Sequence, residues 1–302
     1  MTQEKKYHKP VLLKESVDAL NIQPDGVYVD VTFGGGGHSR EILSRLGSEG
    51  RLVAFDQDED ALQNKIEDER FILIHQNFQY MRRFLRFHKF EKVDGILADL
   101  GVSSHQFDKA ERGFSNRFEA KLDMRMDASR KLSAFEVLNE YDEKKLTFVL
   151  KMYGELRQAP AMAREIVHKR KENPLETTGQ LREVLKRFLP SHRENKILAQ
   201  FYQAIRIEVN QELEVLRSFL GQTSQMLRKG GRLSVISYHS LEDRLVKRYM
   251  RDGMFEGQPE KDVYGRVEVP FKRVGRFIIP DEKEIQNNSR ARSAILRIAE
   301  KL

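Results

Sequence analysis

Residues 29–39 read VDVTFGGGGHS, an apolar strand-like run interrupted by the glycines Gly34–Gly37 and resumed as the start of a helix. A backbone without Cβ atoms can be approached closely, and the N–H groups that open a helix attract an acceptor. The stretch therefore calls for a strand–turn–helix unit at the front of an α/β domain, with something seated against its main chain.

Three ligands compete for that turn. A phosphate-cradling P-loop needs Gly-Lys-Ser/Thr, but His38 follows Gly37. A dinucleotide fingerprint starting at Gly34 needs glycine where the chain has Ser39. The third is S-adenosylmethionine, whose methionine end carries no pyrophosphate. A plain tight turn with close helix–strand packing is the reading that needs no ligand.

The surrounding rhythm supports a parallel sheet. Val27–Val31 follows the turn Pro24-Asp25-Gly26, and a helical pattern runs from Ser39 to Leu46 and closes at Gly47. Arg51–Phe55 ends in Asp56 and leads to a polar helix; Phe71–Ile74 follows, and Val93–Ala98 ends in Asp99. Strands separated by helical segments are the signature of βαβ units. From about residue 107 to 206 the chain reads as helical and heavily charged, without a convincing strand. Thr178 is expected to cap a helix that buries Leu181, Val184, Leu185, Phe188 and Leu189 and leaves Arg182, Lys186 and Arg187 in solvent. The α/β rhythm then returns, with a helix around 209–228 ending at Gly230-Gly231 and a strand at Leu233–Ser237. Val267, Val269 and Phe271 alternate like an exposed strand within the polar stretch 251–290, and a last strand runs from Ala294 to Ala299. The expected fold class is α/β, a doubly wound domain (1–106 and 207–302) interrupted by a helical insertion (107–206).

Within such a sheet, particular side chains become candidates. Asp56 closes its strand a little over twenty residues past the glycines, where an acidic residue holds both hydroxyls of a ribose. The alternative is a helix N-cap at Asp56 or Asp58. Phe78, beyond the third strand, suits either an adenine face or the core. Asp99 ends the fourth strand, facing the crevice where strand order reverses and ligands bind. A nicotinamide oxidoreductase would share the turn and Asp56, but Ser39 and the lack of an acid–base pair count against it. Zero cysteines exclude disulfides and a cysteine-zinc deaminase site, leave no metal centre expected, and fit a reducing cytoplasm. With 53 basic and 46 acidic residues the net charge is +7, which favours a polyanionic partner. No run of eighteen apolar residues suggests a membrane span, and MTQEKKYHKP lacks the apolar centre of a signal peptide.

Taken in order, TFGGGGHS, FDQD, ILADLGVSS, ERGFS, LDMRMD, QAIRIEVNQEL, GGRLSVISYHSLEDR and SRARSAILRIAE resemble the bacterial 16S ribosomal RNA cytosine-N4 methyltransferases of the MraW type. The likeness begins at His8-Lys9-Pro10-Val11-Leu12 and spans nearly the whole chain. It implies a Rossmann-like S-adenosylmethionine-dependent methyltransferase domain with an inserted helical substrate-recognition domain. It also implies S-adenosyl-L-methionine as donor and a cytidine in the decoding centre as acceptor, in the small subunit or an assembly intermediate; a homodimer is compatible with it. By motif, Gly36, Gly37 and His38 hold the donor, Asp56 takes the ribose, Phe78 lines the adenine, and Asp99 and Gln106 complete the pocket. The family's SFHSLED appears here as Ser237-Tyr238-His239-Ser240-Leu241-Glu242-Asp243, its YGEE as Tyr153-Gly154-Glu155-Leu156, and an arginine common before its QAxRIxVN block is absent from Ala199-Gln200-Phe201-Tyr202. These departures are read as touching RNA contact in the insertion rather than chemistry.

Cytosine N4 is a poor nucleophile, so the site chiefly needs alignment, dryness and acceptors for N4–H. The Asn/Asp-Pro-Pro-aromatic motif of many amino-methyltransferases is missing; Asp99-Leu100-Gly101-Val102-Ser103-Ser104 takes its place. Ser103, or a nearby carbonyl, is the expected acceptor, with Asp99 polarising the site or orienting the donor. His239 is a second candidate for proton removal, set against a structural role. For RNA, Tyr80–Phe90 interleaves cations with aromatics but also fits an amphipathic helix, and Asn288–Ser293 reads as a flexible basic loop. Leu122–Asp127 is either a lid or a tie for the insertion. A non-catalytic assembly factor is the rival; Gly36, Asp56 and Asp99 together argue for a working pocket.

Overall fold

The computed structural model describes residues 10–103, 106–107, 109–115, 119–260, 262–265 and 267–302. His8 and Lys9, where the motif likeness starts, and Ser104 lie outside the described residues. The chain forms two compact units, one comprising the chain up to Gly101 with Glu214–Leu302, the other Val102–Leu213.

The first unit is built on one seven-stranded sheet in the order β3-β2-β1-β4-β5-β7-β6. Strands β1 (Val27–Asp30), β2 (Arg51–Asp56), β3 (Phe71–His75), β4 (Val93–Asp99) and β5 (Leu227–Ser237) run parallel. Strand β7 (Ile295–Lys301) pairs antiparallel with β5 and with the edge strand β6 (Phe271–Arg273). Successive strand residues point to opposite faces, and the burial follows that alternation. Val29, Val53, Phe55, Ile96 and Val235 enter one core with Met81 and Leu85 of α3 (Met81–Phe87), Leu216 and Phe219 of α9 (Glu212–Met226) and Val246 of α10 (Ser240–Asp252). Tyr28, Leu52, Ala54 and Leu97 enter the other, with Val17 of α1 (Leu13–Asp18) and Ile42 and Leu43 of α2 (Gly37–Arg45). Covering both faces is what makes these strands near-continuous apolar runs.

Two expectations shift. The helix before β5 stops at Met226, and Gly230-Gly231 lie inside the strand, because Leu227 already pairs with Val93 across an irregular register. The polar segment after Asp56 forms a 3-10 helix, Glu59–Asn64, capped by Asp58. The interleaved stretch Tyr80–Phe90 forms amphipathic α3: Leu85 is buried and Phe84 packs edge-on against Phe55, while Phe87 stays 79% exposed. Ser289–Ser293 is a 3-10 turn that buries Ala291 rather than an open loop.

The second unit contains α4 (Ala134–Glu140), α5 (Glu143–Met152), α6 (Ala159–Lys169), α7 (Thr178–Leu185) and α8 (Glu194–Asn210), with no strand among the described residues. Leu146, Leu150, Met162, Ile166, Leu181, Leu185 and Phe201 share its core. The cap of α7 is Thr177, whose side chain accepts from Gln180 N in a reciprocal capping box; Thr178 is buried instead and accepts from Ala120 N at 3.0 Å. The Leu122–Asp127 stretch is tied down. Asn210 accepts from Met126 N and donates to Met124 O, both at 2.8 Å, and Met124 and Met126 are core residues.

Candidate donor and acceptor site

Strands β1, β2 and β4 each end on an aspartate, so Asp30, Asp56 and Asp99 line the carboxyl end of the sheet. The reversal of strand order between β1 and β4 puts the crevice there.

The glycine turn is fastened to these carboxylates. Gly34 N–H donates to Asp56 Oδ2 at 2.7 Å, and Asp58 N–H donates to Oδ1 at 2.9 Å. Asn64 and Arg40 hold the carbonyls of Gly34 and Gly35. Part of the glycine requirement is internal packing. Gly36 is the N-cap of α2 at φ 74°, a left-handed conformation, and a Cβ on Gly37 would fall 2.1 Å from Pro10 Cγ. The ligand-free explanation thus accounts for these two positions. The first-turn N–H groups of α2 have no intrahelical acceptor and open at the carboxyl end of β1.

Asp30 is fully buried and bonded to Ser39 Oγ at 2.7 Å and Thr32 N at 3.1 Å. Burial raises its pKa against those donors. Thr32 Oγ1 accepts from Asp99 N at 2.7 Å, which links β1 to the tip of β4. The Asp99 carboxylate accepts from the Tyr238 hydroxyl at 2.7 Å through Oδ1, and Oδ2 lies 3.9 Å from His38 Nδ1. The buried His38 places Nε2 3.2 Å from Val11 O; a carbonyl can only accept, so Nε2 carries the hydrogen. Burial keeps His38 below its ordinary pKa, so at neutral pH its ring is uncharged. Burial also pushes Asp99 up to about 6, against the pull of His38 and Tyr238, and Asp56 up to about 6, against its two backbone donors.

None of these three carboxylates is paired with a lysine or arginine among the described residues. Buried anions without a cation are costly, which is why their pKa values rise. The arrangement favours a cationic ligand and disfavours a pyrophosphate.

The remaining candidates take defined places. Phe78 is half-buried and packs edge-on against Phe219, with ring centres 5.3 Å apart. His239 is the N-cap of α10: Nδ1 faces Glu242 N at 3.4 Å, and Nε2 lies 3.2 Å from Glu242 Oε1. Glu242 in turn accepts from Tyr238 N at 2.9 Å. Ser103 and Gln106 belong to the second unit, where they satisfy each other: Ser103 N donates to Gln106 Oε1 at 3.0 Å, and Gln106 N donates to Ser103 Oγ at 3.2 Å. That S-x-x-Q pattern is a capping signal that the sequence carries openly. Asp30, Thr32 and Tyr238 escaped the sequence reading. Tyr238 was visible only as a departure from the phenylalanine of SFHSLED, and it bears on Asp99 rather than on RNA contact in the insertion.

The sequence model of the MraW methylase family matches residues 5–302. The chain is 66% identical to the "Ribosomal RNA small subunit methyltransferase H" of Christiangramia forsetii over 296 residues, covering 98% of each chain. It is 63% identical to the protein of that name from Flavobacterium johnsoniae, with full coverage of both, and 54% identical to that of Bacteroides fragilis, over 99% of each. Among solved structures, an rRNA methylase from Streptococcus thermophilus is matched at 13% identity over 95% of each chain, with a TM-score of 0.42.

Proposed function

This chain belongs to the MraW methylase family, and from that premise we propose that it methylates the N4 atom of a cytidine in the decoding centre of 16S ribosomal RNA, using S-adenosylmethionine. The observation that carries the donor assignment is the set of carboxylates Asp30, Asp56 and Asp99 without a lysine or arginine partner. The RNA assignment draws on the printed name of relatives that match the chain over nearly its full length.

When bound, S-adenosylmethionine supplies a methyl group on a positively charged sulfur. The residues present suit that group. Gly36, Gly37 and His38 would offer main-chain donors, Asp56 retains lone pairs for the two ribose hydroxyls, and the Phe78 ring would border the adenine. Gln106 joins this set by its motif. Asp99 would hold the N4–H of the acceptor base and take the proton released as the N–C bond forms, with Tyr238 steadying its other oxygen. Ser103 is a further acceptor for N4–H. His239 is assigned to capping, since both its ring nitrogens face Glu242. The helical unit Val102–Leu213 would recognise the RNA surrounding the target.

The test is methyl-label transfer from S-adenosylmethionine to small subunits from cells lacking this protein, with their naked rRNA in parallel. Label recovered as N4-methylcytidine and lost in Asp99→Ala supports the reading. Absence of label on both acceptors, with cofactor binding intact, overturns it.

A further inference from the structure

At the β6–β7 edge of the sheet, a cavity of about 360 Å³ opens between these strands, the segment that follows β6, and α10. Met250, Phe271 and Ile298 contribute apolar surface, and Phe277 stands beside them, 54% exposed. Five cations border it. Arg297 is bound to Asp243 and Arg251 to Asp252, but Lys247, Arg273 and Arg276 have no acidic partner among the described residues. The Arg297 guanidinium sits 5.5 Å from the centre of the Phe277 ring, which holds the ring against the edge of the sheet.

The volume falls within the range of pockets that enclose a small organic group. An exposed aromatic ring beside uncompensated cations is the combination that takes a stacked base together with its phosphates. The sheet register adds the placement. Asp99 is level with Ile236, Ile236 with Leu296, and Leu296 with Ile278, the neighbour of Phe277. At ~4.8 Å per strand, the pocket lies about 15 Å along the sheet from Asp99. That is the reach of a few nucleotides.

We propose that this basic pocket at the β6–β7 edge binds an unstacked nucleotide of the RNA strand that flanks the methylated base. Phe277 stacks on the base, and Lys247, Arg273 and Arg276 contact phosphates. The inference rests on the RNA reading above for its occupant and adds a second holding point remote from the reacting atoms. Such a point positions the strand, so it acts on affinity and on KM for RNA rather than on the donor.

The experiment measures binding of the full chain to single-stranded fragments of small-subunit rRNA across a salt series, alongside methyl transfer to small subunits. The double variant R273E/R276E is expected to weaken RNA binding at least tenfold and to flatten the slope of log affinity against log salt by about two, one unit for each lost phosphate contact. Phe277→Ala is expected to weaken binding roughly fivefold with the slope unchanged, as loss of stacking does. Lys229→Glu, an exposed cation at the amino end of β5, controls for general charge and should change affinity less than twofold. S-adenosylmethionine affinity checks that each variant is folded; if the double variant is not, Lys247→Ala and Phe277→Ala carry the test. RNA affinity and salt slope equal to the parent protein overturn the proposal and leave the pocket to an acidic protein partner. If the parent binds RNA through this pocket but transfers no methyl group, the proposed reaction fails while the pocket stands.

Discussion

Tyr238 donates its hydroxyl hydrogen to Asp99 Oδ1 at 2.7 Å, joining the residue just past β5 to the last residue of β4. The bond stabilises the ionised form of a carboxylate that burial drives the other way. Removing it should raise the pKa of Asp99 further. Tyr238→Phe is therefore expected to move the acid limb of the pH–kcat profile upward by about one unit. Turnover near pH 6 falls several-fold and recovers above pH 8. A limb that stays in place would mean that Asp99 does not set the rate.

Asp99→Asn separates chemistry from stability. If Asp99 accepts the N4 proton, turnover should fall 10²–10⁴-fold. The same change should stabilise the ligand-free protein above pH 6, because it deletes a buried charge. The direction follows from the folded-state pKa being raised from 3.8 to about 6. The contribution of this group to stability is complete below about pH 4 and lost as pH rises through 6. A gain of about 1–3 kcal/mol at pH 7.5, read by denaturant unfolding, is expected. A variant less stable than the parent at that pH contradicts the reading.

Donor binding should also depend on pH. Asp56, raised to about 6, is ionised at neutral pH and largely protonated at pH 5. An ionised carboxylate is the better acceptor for ribose hydroxyls and the better neighbour for a cationic donor. Calorimetry should show affinity for S-adenosylmethionine weakening as pH falls through 6. Asp56→Ala should weaken it by about tenfold or more at pH 7.5. A pH-independent affinity in the parent protein would remove Asp56 from the pocket.

In the helical unit, Asn210 is the residue whose loss should be felt most locally. Its amide makes two 2.8 Å bonds to the backbone of the Met124–Met126 stretch. Asn210→Ala leaves a buried donor and a buried acceptor unmet, at about 2–4 kcal/mol. Hydrogen exchange should quicken at Met126. Unchanged exchange there would show that water replaces the side chain without penalty.

Much of the sheet could be read in advance because apolar runs ending in Asp56 and Asp99, separated by helical stretches, leave few alternatives to parallel pairing. The end of the helix before β5 could not: Gly230-Gly231 looks like a helix stop, and only the partner strand β4 recruits Leu227 into the sheet. Thr177 and Gln106 were legible, since T-x-x-Q and S-x-x-Q are local capping patterns, yet both were passed over. Tyr238 belongs to another class. Its importance arises from a hydrogen bond to a residue 139 positions away, and no local pattern encodes such a pair. The same holds for Thr32, a turn residue until its hydroxyl is seen on Asp99 N.

The interruption of the sheet between β4 and β5 also has a consequence for synthesis. Strands β1 to β4 leave the ribosome first, and the whole helical unit must follow before β5 appears. At ~5–20 residues per second, the β4 edge stays unpaired for on the order of ten seconds. Throughout that interval Asp99 has no Tyr238, and one side of the nascent sheet lacks α9 and α10. The newborn protein thus passes through a window in which its half-built sheet offers an open edge to other chains, and in which a chaperone would have most to protect.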